Sequence, residues 1–511
     1  MGEFNLADWL VDRHAREGRA EAVAVRCSSR STTYAELAAI SAGAGGALRG
    51  LGVRPFDRVL VVMFDSLEMA AAILGALRIG AVPVLVNPML RAADLAPLAV
   101  EAGARVAIVS GEKAGMIGDL RSGAPEIATV AVAGGVETQE SLSFDALVEV
   151  AEPADPRLGS GEEPGVWLCT GGTTGRPKLV MHRHIDGRHI YDTYASQVLA
   201  IADDDRCYSV APMFHAYGLG NSLVFPLAVG ATTVLVPTRP PTPAVVLATL
   251  MAEQPTLFFS VPTSYAALAG SLPEHAFASV RQGVSAGEAL PAEVFARYRD
   301  HFGMEILDGI GSTEMGHIYV SNRPGEAQGG SSGFVVPGHQ VKLLDDAEDE
   351  VGVETPGNLW VKGPAAATGY WCRADASRRT FVGEWVRTGD VYERAADDRY
   401  RYLGRSDELF KVSGEWVSPF EIESVLATLD GVVEAAVVPG LFDGLLRPVA
   451  FVVLAEGSSE NEDSLHDRCK PLLPGYKRPR RIRVIDGLPK TAVGKIQRVV
   501  LRDQLREEAG S

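Results

Sequence analysis

The sequence predicts an α/β protein: a large N-terminal domain of helix-covered sheets, a β-rich subdomain from about residue 330, and a small α+β domain at the C-terminus. Three observations carry this reading. Short β-rich runs alternate with helix-like stretches through the first part of the chain, which argues for parallel sheets covered by helices. After about residue 330 the texture changes to glycine turns and short alternating strands. From Pro419 onward, helix and strand patterns form a compact set of their own. A length of 511 residues, against ~150 for a typical domain, leaves room for at least two domains.

Taken in order, Val59-Leu60-Val61-Val62-Met63 is followed by an alanine-rich helical stretch and then by Val82-Pro83-Val84-Leu85-Val86. That is a strand–helix–strand unit. Further strands are expected at 106–109, 129–132, 207–210, 233–236 and 257–260, each beside a helix-like segment. In the β-rich part, 340–344 and 358–361 read as strands. The C-terminal set reads as helix 420–429, strands 432–438 and 449–454, a helix near 465–472 and strand 481–485. Gly404-Arg405-Ser406-Asp407-Glu408 is polar and carries glycine, as a linker does, so the expected domains are 1–404 and 405–511.

Composition narrows the function classes. With 46% hydrophobic and 22% charged residues the chain reads as soluble and globular. A formal net charge of −17 repels phosphate backbones and anionic lipid. The short basic cluster Lys477-Arg478-Pro479-Arg480-Arg481 reads equally well as a solvated face. No nucleic acid or membrane partner is expected. Five scattered cysteines without a Cys-x-x-Cys pair encode neither a disulfide framework nor a zinc site, and fit a reducing cytoplasm. The start has no apolar signal core, and Leu6 stands where myristoylation needs Ser or Thr. The most apolar stretch, 69–86, is interrupted by Arg78, Gly80 and Pro83, too soon for a membrane span.

The densest chemical signal is Leu168-Cys169-Thr170-Gly171-Gly172-Thr173-Thr174-Gly175-Arg176-Pro177-Lys178. Glycines let backbone N–H groups converge on phosphate, hydroxyls add donors and a lysine adds positive charge. A Walker loop requires Gly-Lys-Ser/Thr, whereas Gly175 is followed by Arg-Pro-Lys-Leu, so a P-loop enzyme lacks its defining feature here. Four more motifs follow: Asp308-Gly309-Ile310-Gly311-Ser312-Thr313-Glu314, Arg387-Thr388-Gly389-Asp390, Gly404-Arg405-Ser406-Asp407 and Pro489-Lys490-Thr491-Ala492-Val493-Gly494-Lys495. In this order and spacing the five resemble the adenylate-forming superfamily of acyl-CoA synthetases, carrier-protein adenylation domains and luciferases, over nearly the whole chain.

The resemblance implies that Thr170, Gly171, Gly172, Thr173, Thr174, Gly175 and Lys178 hold the β- and γ-phosphates of ATP. It places Thr313 at the α-phosphate and Glu314 on magnesium, a hard cation suited to phosphate and carboxylate oxygens. Glu314 taken alone also reads as a helix-start acid. Asp390 and Arg405 take the ribose hydroxyls, and Gly287, Glu288, Asp308, Gly309 and Ile310 line the adenine. Lys495 bridges carboxylate and α-phosphate during adenylation, where its ammonium stabilises developing charge. Because Lys495 belongs to the small domain, that domain is expected to be mobile, with Asp407 at the hinge. Rotation would withdraw Lys495 and bring up 411–419, with Lys411, Ser413 and Gly414 toward coenzyme A. Leu179, after the loop lysine, departs from a common glycine, and Asn358 from a common glutamate; neither position is expected to be a direct ligand.

Two stretches, Pro212-Met213-Phe214-His215-Ala216-Tyr217-Gly218-Leu219-Gly220-Asn221 and Ser312-Thr313-Glu314-Met315-Gly316-His317-Ile318, resemble the benzoate-CoA ligase branch, which includes 2-aminobenzoate ligases. Tyr217 and Ile318 offer flat apolar surface while Ala216 and Gly218 leave room, a slot suited to a planar ring. Gly311 belongs to the same wall. His317 either bonds a ring substituent or satisfies a nearby backbone carbonyl, and His215 puts a polar gate beside the carboxylate. The expected activity is ATP-dependent ligation of a benzoate-type acid to CoA, through an aryl adenylate. Two alternatives stand beside it: loading of a carrier-protein phosphopantetheine, and a nucleotide-binding regulatory protein on a retired scaffold. The second would need none of the charges at Lys178, Glu314, Asp390, Arg405 and Lys495.

Overall fold

A strand covered by helices on both faces needs a continuous apolar run, and the runs in this chain have become the cores of two large sheets. The computed structural model describes residues 3–135, 138–171, 177–238, 241–412, 415–442, 445–490 and 496–509. The chain divides into two compact units, Met1–Val341 with Trp360–Arg387, and Lys342–Leu359 with Thr388–Ser511. The second unit takes in strands on both sides of residue 404.

In the first unit, a seven-stranded sheet runs in the order Leu142–Ser143, Thr129–Ala133, Val106–Ser110, Arg58–Val62, Val82–Leu85, Pro164–Thr170, Lys178–Arg183. Neighbours are parallel except the last pair, which is antiparallel. The helix Leu67–Arg78 makes the crossover between Arg58–Val62 and Val82–Leu85. It starts at Ser66, whose hydroxyl accepts from the Met69 N–H, a cap worth about 1 kcal/mol. Its alanines and leucines are buried nearly all round, which fits a helix enclosed by neighbours rather than facing water.

The nine-stranded sheet of the same unit runs Phe334–Val335, Ile318–Ser321, Ile306–Gly311, Gln282–Ser285, Leu257–Ser260, Arg206–Ser209, Thr232–Leu235, Val23–Cys27, Arg30–Thr33. Its inner strands are parallel and its two ends antiparallel. Alternation splits its side chains: Phe259, Val284 and Leu307 enter one core cluster, and Phe258 and Ile306 another. The parallel pairing ends at Ser260, Ser285 and Asp308, which are in register. The carboxyl ends of parallel strands are where α/β sheets place ligands.

The second unit has its own core. The antiparallel strands Val432–Phe442 and Leu445–Leu454, with Arg481–Val484 parallel to the latter, pack Val437, Ala450, Val452 and Ile482 against Ile422 and Leu426 of helix Pro419–Ala427. Among the described residues no helix is long and apolar enough to cross a membrane.

Candidate active site

The phosphate motif falls on the antiparallel edge pair of the seven-stranded sheet. Pro164–Thr170 and Lys178–Arg183 are registered with Thr170 opposite Lys178, so the glycine-rich segment joins two strand ends held a fixed distance apart. Thr170, Gly171 and Lys178 are described; Gly172, Thr173, Thr174 and Gly175 lie outside the described residues. Next to them, burial pushes the Cys169 thiol up to about 12, so it stays protonated and unreactive. The Lys178 ammonium sits 4.1 Å from the centroid of the Tyr370 ring, a cation–π distance.

Thr313 and Glu314 open a short 3₁₀ turn, Thr313–Met315, capped by the Ser312 hydroxyl, which accepts from the Met315 N–H. Two side chains far away in the chain hold this turn. The Tyr370 hydroxyl donates to Glu314 Oε1 at 2.7 Å, while the Ala367 N–H donates to the Glu314 carbonyl at 2.8 Å. His182 Nε2 lies 2.7 Å from the Thr313 carbonyl, and its Nδ1 lies 3.3 Å from Asp186 Oδ2. Burial works against a charged Asp186, but hydrogen bonds from His182 and Arg183 overcome it and hold the carboxyl below its ordinary value. Neither His182 nor Tyr370 belongs to the five motifs. His182 is four residues beyond Lys178 on the same strand, so strand alternation places both on one face, and that spacing is the one available sequence signal.

Among the described residues no group of three or more His, Cys, Asp or Glu is arranged to hold a metal ion. A lone, partly exposed Glu314 carboxylate still fits magnesium, which takes most of its ligands from phosphate and water rather than from a protein cage.

The residues expected to wall the aryl ring lie in the same unit. Ala216–Leu219 is a helical turn that continues into Gly220–Val224. Gly218 permits this course: a Cβ there would lie 2.0 Å from the Pro212 carbonyl oxygen. The Tyr217 hydroxyl donates to the Val284 carbonyl at 3.0 Å and to the Ser260 carbonyl at 3.3 Å, which pins the ring over the strand ends. Ala216 and Ile318 are buried, and His215 is half-buried against Phe214. Gly311 lies against the carbonyl of His317, where a Cβ would come within 2.6 Å of its oxygen.

The His317 ring lies 4.5 Å from Phe225, 5.3 Å from Tyr194 and 5.5 Å from Tyr217, and its Nε2 is 3.1 Å from Asn221 Oδ1. Gly220 makes this packing fit, since a Cβ there would stand 2.4 Å from His317 Cδ2. The carboxamide acceptor fixes the tautomer with the proton on Nε2. An apolar cavity of about 40 Å³ lies beside the wall, bordered by Ile190, Leu219, Leu223 and Gly316, with room for about one water-sized group.

Burial pushes His317 down to about 3, and pushes His184 and His339 to about 4. All three fold neutral, whereas the unfolded chain protonates near 6.5. Protons therefore bind the unfolded state preferentially below that value. Stability should fall as pH drops from 6.5 toward 4, by about 2 kcal/mol per histidine at pH 5. Thermal unfolding across this range measures it, and His184→Gln, which has no proton to gain, should give a shallower curve.

Of the residues expected at the nucleotide, Gly287 has φ +91° and is exposed with Glu288. Gly309 and Ile310 lie on Ile306–Gly311. Burial pushes the Asp308 carboxyl well up, against the Ser285 hydroxyl and the Leu290 backbone. In the second unit, Asp390 and Arg405 face each other across an antiparallel pair, 3.1 Å apart. Burial opposes the Arg405 charge, and Asp390 and Asp407 maintain it. Asp407 is half-exposed, 3.8 Å from Arg405 Nε. The Lys411 ammonium lies over the Trp416 ring at 4.6 Å. Ser413, Gly414 and Lys495 lie outside the described residues.

A family profile described as AMP-binding enzyme matches residues 11–371, and one described as AMP-binding enzyme C-terminal domain matches 421–495. The chain is 41% identical to the benzoate–CoA ligase of Thauera aromatica, covering 98% of this chain and 96% of that protein. It is 40% identical to the 4-hydroxybenzoate–CoA/benzoate–CoA ligase of Rhodopseudomonas palustris, over 98% and 94%. The solved structure of the anthranilate CoA ligase AuaEII in complex with anthranoyl-AMP superposes with a TM-score of 0.93 at 35% identity, covering 100% of this chain and 98% of that one.

Proposed function

The chain belongs to the AMP-binding enzyme family, and on that premise we propose how its residues work. It is an ATP-dependent aryl-acid:CoA ligase, in line with full-length relatives that ligate benzoate and 4-hydroxybenzoate. The observation that carries the assignment to this site is the meeting of Lys178, at the end of the phosphate hairpin, with the Thr313–Glu314 turn around Tyr370.

In the first half-reaction a carboxylate oxygen of the acid attacks the α-phosphorus of ATP, and pyrophosphate leaves. Thr170, Gly171, Gly172, Thr173, Thr174, Gly175 and Lys178 grip the β- and γ-phosphates, Thr313 and Lys495 attend the α-phosphate, and Asp390 with Arg405 holds the ribose. Magnesium, held by Glu314, would neutralise phosphate charge at the bond that breaks. In the second half-reaction the thiol of CoA, losing its proton, attacks the acyl carbon; a C–S bond forms, the acyl C–O bond breaks, and AMP leaves with that bond's electron pair on its phosphate oxygen. Movement at Asp407 exchanges Lys495 for the segment carrying Lys411, Ser413 and Gly414 between the two steps. The relatives named as CoA ligases favour free CoA over a carrier protein as acceptor. Five free thiols fit work in the reducing cytoplasm.

The acid is a planar benzoate-type ring, seated between Tyr217 and Ile318. A panel of benzoate, 2-aminobenzoate, the hydroxybenzoates and octanoate, incubated with ATP, magnesium and CoA, tests this by thioester release. One or more of the aryl acids should exceed octanoate in kcat/KM by at least a hundredfold. Octanoate turned over as well as any benzoate would defeat the aryl assignment, and no AMP from any acid would defeat the ligase assignment.

A further inference from the structure

Tyr370 holds together two groups that the adenylation reading uses separately. Its backbone is stitched to the strand that begins at Lys178: Met181 donates to the Gly369 carbonyl, Thr368 to the Met181 carbonyl and Trp371 to the Leu179 carbonyl. The ring is buried, edge-on to Phe381 at 5.4 Å. One face receives the Lys178 ammonium at 4.1 Å, and the hydroxyl donates to Glu314 Oε1 at 2.7 Å and lies 3.4 Å from Thr380 Oγ1. A phenol has one proton to give, and of its two acceptors among the described residues the carboxylate is the closer.

We propose that Tyr370 is a positioning residue for adenylation, spacing the Lys178 ammonium and the Glu314 carboxylate across one aromatic ring so that both are presented to the phosphates of the nucleotide in a fixed relation. The physical reason lies in opposite charges on flexible stems. A lysine and a glutamate within reach of each other gain by direct pairing when nothing stands between them. Each would then have to be pulled off the other before binding its own partner. The ring accepts the cation on its face without neutralising it, and the hydroxyl binds one carboxylate oxygen and leaves the second lone-pair set available. Preorganisation of this kind lowers the cost of assembling the charged site, which is where phosphoryl-transfer catalysis has most to gain.

This inference rests on the ligase reading, so the test begins with wild-type protein: acid-dependent exchange of pyrophosphate into ATP must be present, and its absence would refute the ligase reading itself. Tyr370→Phe then removes only the hydroxyl and keeps the face that Lys178 occupies. Expected is a fall of at least tenfold in the exchange rate, together with a several-fold rise in the magnesium concentration needed for half-maximal rate. Binding of a non-hydrolysable ATP analogue, followed by calorimetry, should weaken in magnesium and be unchanged without it. Thioester formation from supplied aryl-AMP and CoA should stay within twofold of wild type. In a Glu314→Gln background, Tyr370→Phe should cost little more, because the hydroxyl acts through the carboxylate charge that glutamine already lacks. Equal losses in both half-reactions, losses that add to those of Glu314→Gln, wild-type exchange with an unshifted magnesium requirement, or a Tyr370→Phe chain that does not fold would each overturn the positioning role.

Discussion

Lys495→Ala should slow formation of the aryl adenylate by about three orders of magnitude, while thioester formation from supplied aryl-AMP proceeds near the wild-type rate. The loss corresponds to about 4 kcal/mol of transition-state stabilisation. It is that large if, as proposed, the ammonium lies between the attacking carboxylate and the α-phosphate, where it offsets charge that builds only as the oxygen meets phosphorus. The second step has no such need, since the thiol attacks an acyl carbon already activated by the phosphate anhydride. Measuring the two half-reactions separately, by pyrophosphate exchange and by thioester release from aryl-AMP, gives a clear result. Equal loss in both would mean that Lys495 supports the fold of the second unit rather than the chemistry.

How far the sequence reaches is visible element by element. The runs at 106–109 and 129–132 match Val106–Ser110 and Thr129–Ala133 within a residue, because a strand buried on both faces leaves an uninterrupted apolar signature. The second unit is less legible. The hairpin Val432–Phe442 and Leu445–Leu454 outruns the expected 432–438 and 449–454, since Pro439 and Pro448 read as strand breakers and yet sit opposite each other in register. Its end carries exposed Leu441, Leu445 and Leu446, which give no in–out alternation to read. The helix expected near 465–472 starts earlier, at Glu462, because Asn461 and Ser464 form a capping box that outweighs the apolar pattern.

The site divides in a similar way. Lys178 and Glu314 lie in glycine-rich motifs whose residue types already imply phosphate chemistry. Tyr370 and His182 do not: His182 is one residue of the strand Lys178–Arg183, and Tyr370 makes an isolated bridge to that strand and stands 56 positions from its Glu314 partner. Their roles come from tertiary pairing, which no local pattern encodes.

Ala216→Phe should cut kcat/KM for every benzoate-type acid by at least ten- to a hundredfold while leaving ATP binding intact, as measured by substrate kinetics alongside calorimetry with the ATP analogue. The wall cannot absorb the added ring. Ala216 is buried, the Tyr217 hydroxyl is anchored to two backbone carbonyls, and Gly218 is pressed against the Pro212 carbonyl, so the turn has no slack on either side. Overpacking of this kind costs about 1–3 kcal/mol, and the loss should fall on the acid because the residues proposed for the nucleotide are others. His317→Ala is the informative companion. If its imidazole bonded an ortho substituent, the preference for 2-aminobenzoate over benzoate would drop tenfold or more, the worth of one buried hydrogen bond. The geometry points the other way: Nε2 is committed to Asn221, and the ring is enclosed by Tyr194, Tyr217 and Phe225. Removing it should open a void behind Tyr217 and lower kcat/KM across the panel by similar factors. A selective loss with ortho-substituted acids alone would instead put His317 in direct contact with the substrate.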